Sequence, residues 1–152
     1  MSILPGVYNN YIMTIFICMF VSHFFGDFFF QPRKIAKHKS TNMLVLLTHV
    51  GIVSVCMLVG LNLAFDLPSF DNGRLHWAIV MATLLNGVIH FCIDATTWNT
   101  YTFFNKRRQM PYTASGVLGP IIYDDKWWWT TLGFDQLLHG LTIILVIYLF
   151  FA

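Results

Sequence analysis

Histidine and aspartate recur four residues apart at three places in this chain: His23 and Asp27, His90 and Asp94, Asp135 and His139. A lone His49 sits in a fourth apolar stretch. Residues four apart share one face of an α-helix, so each pair forms one polar spot on an apolar rod. Neutral imidazole and ionised carboxylate are ligands that zinc, manganese and iron accept. Ionisable groups inside a bilayer are rare and usually functional. These seven side chains therefore predict a metal site inside the membrane. His23, Asp27, His49, His90, Asp94 and His139 are its expected ligands, and Asp135 its expected general base.

The rest of the chain must hold those residues in lipid. Of its 152 residues 57% are hydrophobic and 11% charged, with no glutamate, against about 25% charged in a soluble domain. The net charge of +2 gives no argument for a nucleic-acid partner; the expected partners are membrane lipids and a lipid or amphiphilic substrate. Cys18, Cys56 and Cys92 share no close spacing and read as small buried residues. Crossing a core of about 30 Å takes about 20 helical residues. Four stretches suffice: 11–30, 42–65, 76–98 and 134–151. The expected fold is all-α, a polytopic four-helix membrane bundle forming one domain over 1–152, with a long loop at 99–133. The fourth stretch is the shortest, and a start nearer Trp127-Trp128-Trp129 would lengthen it.

Basic residues orient the bundle. Arg33, Lys34, Lys37 and Lys39 lie in the first connection, and Lys106, Arg107, Arg108 and Lys126 in the third; the second holds only Arg74. The positive-inside rule puts the first and third connections in the cytoplasm and both termini outside. At 1.5 Å per residue, all four histidines then lie about 8–12 Å in from the cytoplasmic side, with the aspartates about one turn nearer to it. The order within each pair fits: histidine precedes aspartate on the inward-running first and third helices and follows it on the outward-running fourth. Random polar residues would not form one histidine layer and one aspartate layer at matched depth.

Each buried aspartate costs on the order of 3 kcal/mol at a helix centre, so three call for a neutralising cation. Seven candidate ligands exceed the three or four of a single zinc. One or two divalent ions are expected, with zinc first by ligand type and manganese or iron behind it. A metal, water and a nearby carboxylate form an apparatus for hydrolysis. The competing readings are hydrogen-bonded glue between helices and a non-enzymatic metal or proton permease or interaction factor. Gln31, Gln136 and Asn86 extend the polar stripes and could orient ligands. His38, His76, Asp124 and Asp125 read as solvated, the Trp run as an interfacial belt, and Lys106-Arg107-Arg108 as topogenic.

The run His23-Phe24-Phe25-Gly26-Asp27-Phe28-Phe29-Phe30-Gln31 resembles the His-x3-Asp-Phe-x2-Gln opening of a small membrane-protein family of bacteria and phages, catalogued as a domain of unknown function. Further motifs of that family match Lys39 and His49, the His90–Asp94 pair, and Asp135-Gln136-Leu137-Leu138-His139, over about residues 20–145. Thr97 stands where members tend to carry a lysine. The resemblance implies a multi-pass protein of the bacterial inner membrane. By analogy with predicted metal-dependent membrane hydrolases, it also implies hydrolysis at the His/Asp motifs.

Overall fold

A computed structural model describes residues 5–65, 72–107 and 126–151. They are all-helical. Helix α1 spans Pro5–Phe24 and continues as a π-helical turn over Phe25–Phe29. Short α2 covers Arg33–His38, α3 Met43–Phe65, α4 Asn72–Arg107 and α5 Lys126–Phe150. The four long helices carry stretches long and apolar enough to cross a membrane.

Each boundary has a local cause. Pro32, extended at φ −60° and ψ 147°, precedes α2. Asn42 Oδ1 accepts from the backbone N–H groups of Leu44 and Val45, capping α3. The π turn is registered by Phe30 N–H donating to Phe25 O at 2.8 Å, a span of five residues rather than four.

Two expectations are corrected. Helix α4 does not stop at Trp98 but runs to Arg107; α5 starts at Lys126 rather than Phe134, the earlier start that the Trp run offered, so both flanks of the expected 99–133 loop are helical. The threonines and asparagines after Trp98 lower hydropathy without breaking a helix, since their propensity cost is only tenths of a kcal/mol, roughly 0.5 each. The first connection holds α2 where plain loop was expected.

Helices α1 and α4 lie diagonally, each flanked by α3 and α5, and α2 packs along α3. The core divides by height. One end is apolar: Ile15, Met19, Val53, Met57, Leu61, Ala82, Ile143 and Val146 are buried there. The other end is polar, and its buried residues include every member of the three His/Asp pairs and His49. Outward faces carry exposed Ile17, Leu44, Leu63, Leu84, Ile144 and Tyr148. Polar inside and apolar outside reverses the soluble arrangement and is what a lipid surround selects. Against expectation, the cysteines are not core residues: Cys18 and Cys56 are half-buried and Cys92 exposed. Apolar neighbours in a membrane helix face lipid as readily as protein.

Candidate metal centre

Four imidazoles meet on the bundle axis. Ring centroids are 4.2 Å apart for His90 and His139, 4.8 Å for His23 and His139, 5.0 Å for His23 and His90, and 5.1 Å for His49 and His90. His23 Nε2 lies 3.1 Å from His90 Nδ1, and His90 Nε2 lies 3.1 Å from His49 Nε2. Gln31 Nε2 donates to His49 Nδ1 at 3.2 Å. His49 Nε2 lies 3.0 Å from Asp27 Oδ1 and 3.3 Å from Asp94 Oδ2.

Two of the pairs keep the proximity that an α-helix gives them. His90 Nε2 is 3.4 Å from Asp94 Oδ2, and His139 Nε2 is 3.6 Å from Asp135 Oδ2. The first pair does not. Among the described residues His23 and Asp27 form no ion pair; the π turn between them parts their faces. His23 turns to His90, while Asp27 turns to His49 and receives a hydrogen bond from Gln136 Nε2 at 3.1 Å. Thus Asp27 serves α3 and α5 rather than its own helix.

Lys39 is the site residue that sequence reasoning missed, having been assigned to the basic loop that sets topology. Its ammonium donates to Asp94 Oδ2 at 2.9 Å, and lies 3.3 Å from His49 Nε2 and 3.7 Å from Asp27 Oδ1, with the side chain 11% exposed. Its place at the C-terminal end of α2 aims it inward. The signal available in the sequence was its pairing with His49 in the family motif. His38 is exposed, as expected. Asp124, Asp125 and Arg108 lie outside the described residues.

Several buried polar atoms lack a hydrogen-bond partner: Asp27 Oδ1, Asp94 Oδ1, Asp135 Oδ1 and His139 Nε2. One oxygen of each aspartate is among them. The Asp27 oxygen approaches His49 Nε2 without hydrogen-bond geometry. His139 Nε2 stands 3.7 Å from Asp94 Oδ1, too far for a hydrogen bond. Leaving such atoms unsatisfied costs about 1–3 kcal/mol each. Three sets place one ligand atom per residue within 4.8 Å of each other: His23, His90 and His139; Asp27, His49 and His90; Asp27, Asp135 and His139. Ligands 2.0–2.2 Å from one tetrahedral ion stand roughly 3.3–3.6 Å apart. Many of the separations here fall close to that range, so the donors fit a divalent ion.

A cleft of about 500 Å³ opens between α4 and α5, lined in part by Thr97, Tyr101, Thr131, Phe134 and Leu138. Thr131, Asp135 and His139 follow at four-residue steps on α5, and His90, Asp94 and Thr97 at helical steps on α4. The cleft therefore continues the polar stripes toward the Lys126 end of α5.

The fold and site define a four-helix membrane-type bundle with a buried His/Asp centre. The chain belongs to the family described as Protein of unknown function (DUF3307), which matches residues 15–152. No curated protein and no solved structure matches it.

Proposed function

We propose that the chain is a metal-dependent membrane hydrolase acting on a lipid or similar amphiphile. The observation that carries the reading is the set of unpartnered buried atoms, one carboxylate oxygen from each aspartate together with His139 Nε2. A divalent ion bound among these atoms would be held by them and would supply Lewis acidity, polarising the scissile carbonyl or phosphoryl oxygen and acidifying water. Zinc is favoured by ligand type, then manganese or iron. Among the described carboxylates, Asp135 is the one with no ion pair to Lys39: Gln136 Nε2 lies 3.4 Å and His139 Nε2 3.6 Å from it. It also lies one turn from Thr131 on the cleft wall, which supports giving it the part of general base, the group that takes a proton from water. The amphiphile enters laterally through the α4–α5 cleft, at the cytoplasmic face of the bacterial inner membrane by the positive-inside reading.

The test is elemental analysis of chelator-free protein in detergent, followed by incubation with bacterial lipid extract in ¹⁸O-labelled water. The expected result is bound first-row metal, with label entering a lipid product and chelator abolishing both. A folded, metal-free protein would overturn the reading.

A further inference from the structure

The centre has two lobes, and the groups around them differ. One lobe lies between Asp27, His49 and the Oδ2 side of Asp94. The Lys39 ammonium stands there, 2.9 Å from Asp94 Oδ2, 3.3 Å from His49 Nε2 and 3.7 Å from Asp27 Oδ1. The other lobe lies between Asp135, His139 and the Oδ1 side of Asp94. Three of the unpartnered atoms are here, Asp135 Oδ1, Asp94 Oδ1 and His139 Nε2, whereas Asp27 Oδ1 faces the Lys39 ammonium in the first lobe. His139 Nε2 is 3.7 Å from Asp94 Oδ1 and 3.6 Å from Asp135 Oδ2. These gaps are too wide for hydrogen bonds and close to the spacing of two ligands on one ion.

We infer that Lys39 is a resident cation that fills the first lobe and limits the centre to one divalent ion, held in the second lobe by His139 and Asp94, with Asp135 beside it as the base. The inference rests on the metal-binding reading above. Charge supports the same count. Three ionised aspartates and one ammonium leave two negative charges among neutral imidazoles. One divalent ion cancels them; a second would leave two positive charges buried in the bundle, where unpaired charge is strongly disfavoured. The seven candidate ligands are thus divided: His49 and Asp27 hold the lysine, with Gln31 and Gln136 fixing their orientation. Lys39 is a specificity-determining residue for the number of ions, and the side chain most like one in shape, methionine, would vacate its lobe without emptying it of volume.

The experiment counts ions per chain by native mass spectrometry of detergent-purified protein loaded with excess Zn²⁺ and washed, comparing wild type with Lys39→Met, Lys39→Arg and the double variant Lys39→Met/His49→Gln. Expected are one ion in wild type, two in Lys39→Met, one in Lys39→Arg, which keeps the charge, and one in the double variant, which loses a ligand of the new lobe. Two ions in wild type, or one in a folded Lys39→Met, would overturn the inference while leaving metal binding intact. No ion in any folded form would overturn the metal reading itself. Should Lys39→Met fail to fold, Lys39→Gln gives the same count with a polar side chain, and one ion there overturns the proposal equally.

Discussion

At the scale of single residues, the three aspartates are unequal although the sequence presents them alike. Asp94 accepts from Lys39 and stands against three histidines, His49, His90 and His139. Changing it to Asn strands a buried ammonium, and breaking a buried pair this way costs about 3–5 kcal/mol. Asp135 has no such partner. Asp94→Asn is therefore expected to lower both the unfolding temperature in detergent and the metal content. Asp135→Asn is expected to leave the fold near wild type and reduce turnover by roughly 10²–10⁴-fold. Thermal unfolding, metal analysis and ¹⁸O incorporation on Asp27→Asn, Asp94→Asn and Asp135→Asn decide it; equal losses of metal and fold in all three remove the base assignment from Asp135. Two of the three pairs were legible because i, i+4 geometry is a property of any α-helix; the π turn takes His23 and Asp27 out of it. Lys39 was not, because a lysine's reach into a bundle depends on where the short α2 ends, and no periodicity reports that.

At the scale of elements, α1 and α3 are held close by glycine. A Cβ on Gly26 would meet Val53 Cα at 2.8 Å, and one on Gly60 would overlap Ser22 Oγ. Small residues let membrane helices approach in this way. The two obstacles differ: a serine side chain can rotate, whereas backbone must move. Gly26→Ala is expected to cost about 1–3 kcal/mol of stability, as overpacking does, and Gly60→Ala less. Gly140→Ala, where nothing lies within 4 Å, serves as the control and should be neutral. Unfolding of the three variants in one detergent checks the order, and a Gly26→Ala as stable as the control would show that α1 is free to shift. Because His23 and Asp27 flank Gly26, the same variant should also bind metal more weakly. The π turn at Phe25–Phe29 was not readable in advance, since the local sequence suits an ordinary helix and the extra residue is set by packing against α3. The ends of α4 and α5 were misjudged for another reason. Hydropathy marks where a helix leaves lipid, not where it stops being a helix, and Asn99, Thr100, Thr102, Thr130 and Thr131 fall in the interval between the two.

At the scale of the whole molecule, the question is whether the centre lies on a path across the membrane or at the end of a blind site. The matched depth of the histidines was legible because helix direction and pair order reverse together, and the structure gathers all four rings. What lies on either side of them decides the question. Toward the Lys39 end, Thr97 and Thr131, about one helical turn beyond Asp94 and Asp135, line the α4–α5 cleft. Toward the other end a short polar tier of Thr83, Asn86 and Thr142 gives way to Met19, Met57, Leu61, Ala82 and Val146, all fully buried. A permeating ion or proton needs polar groups or water along its route, and tightly packed methionine and leucine provide neither. A permease would have to open that plug, whereas a hydrolase fed from the cleft would not. Proteoliposomes loaded with a zinc-sensitive or a proton-sensitive dye should therefore show flux no faster than empty vesicles under an imposed gradient. Filling the cleft by Thr131→Trp should remove hydrolysis while leaving the ion bound. Flux above background, abolished by His90→Gln, would replace the enzyme with a conduit, and unchanged hydrolysis in a folded Thr131→Trp protein would move the entrance away from α4 and α5.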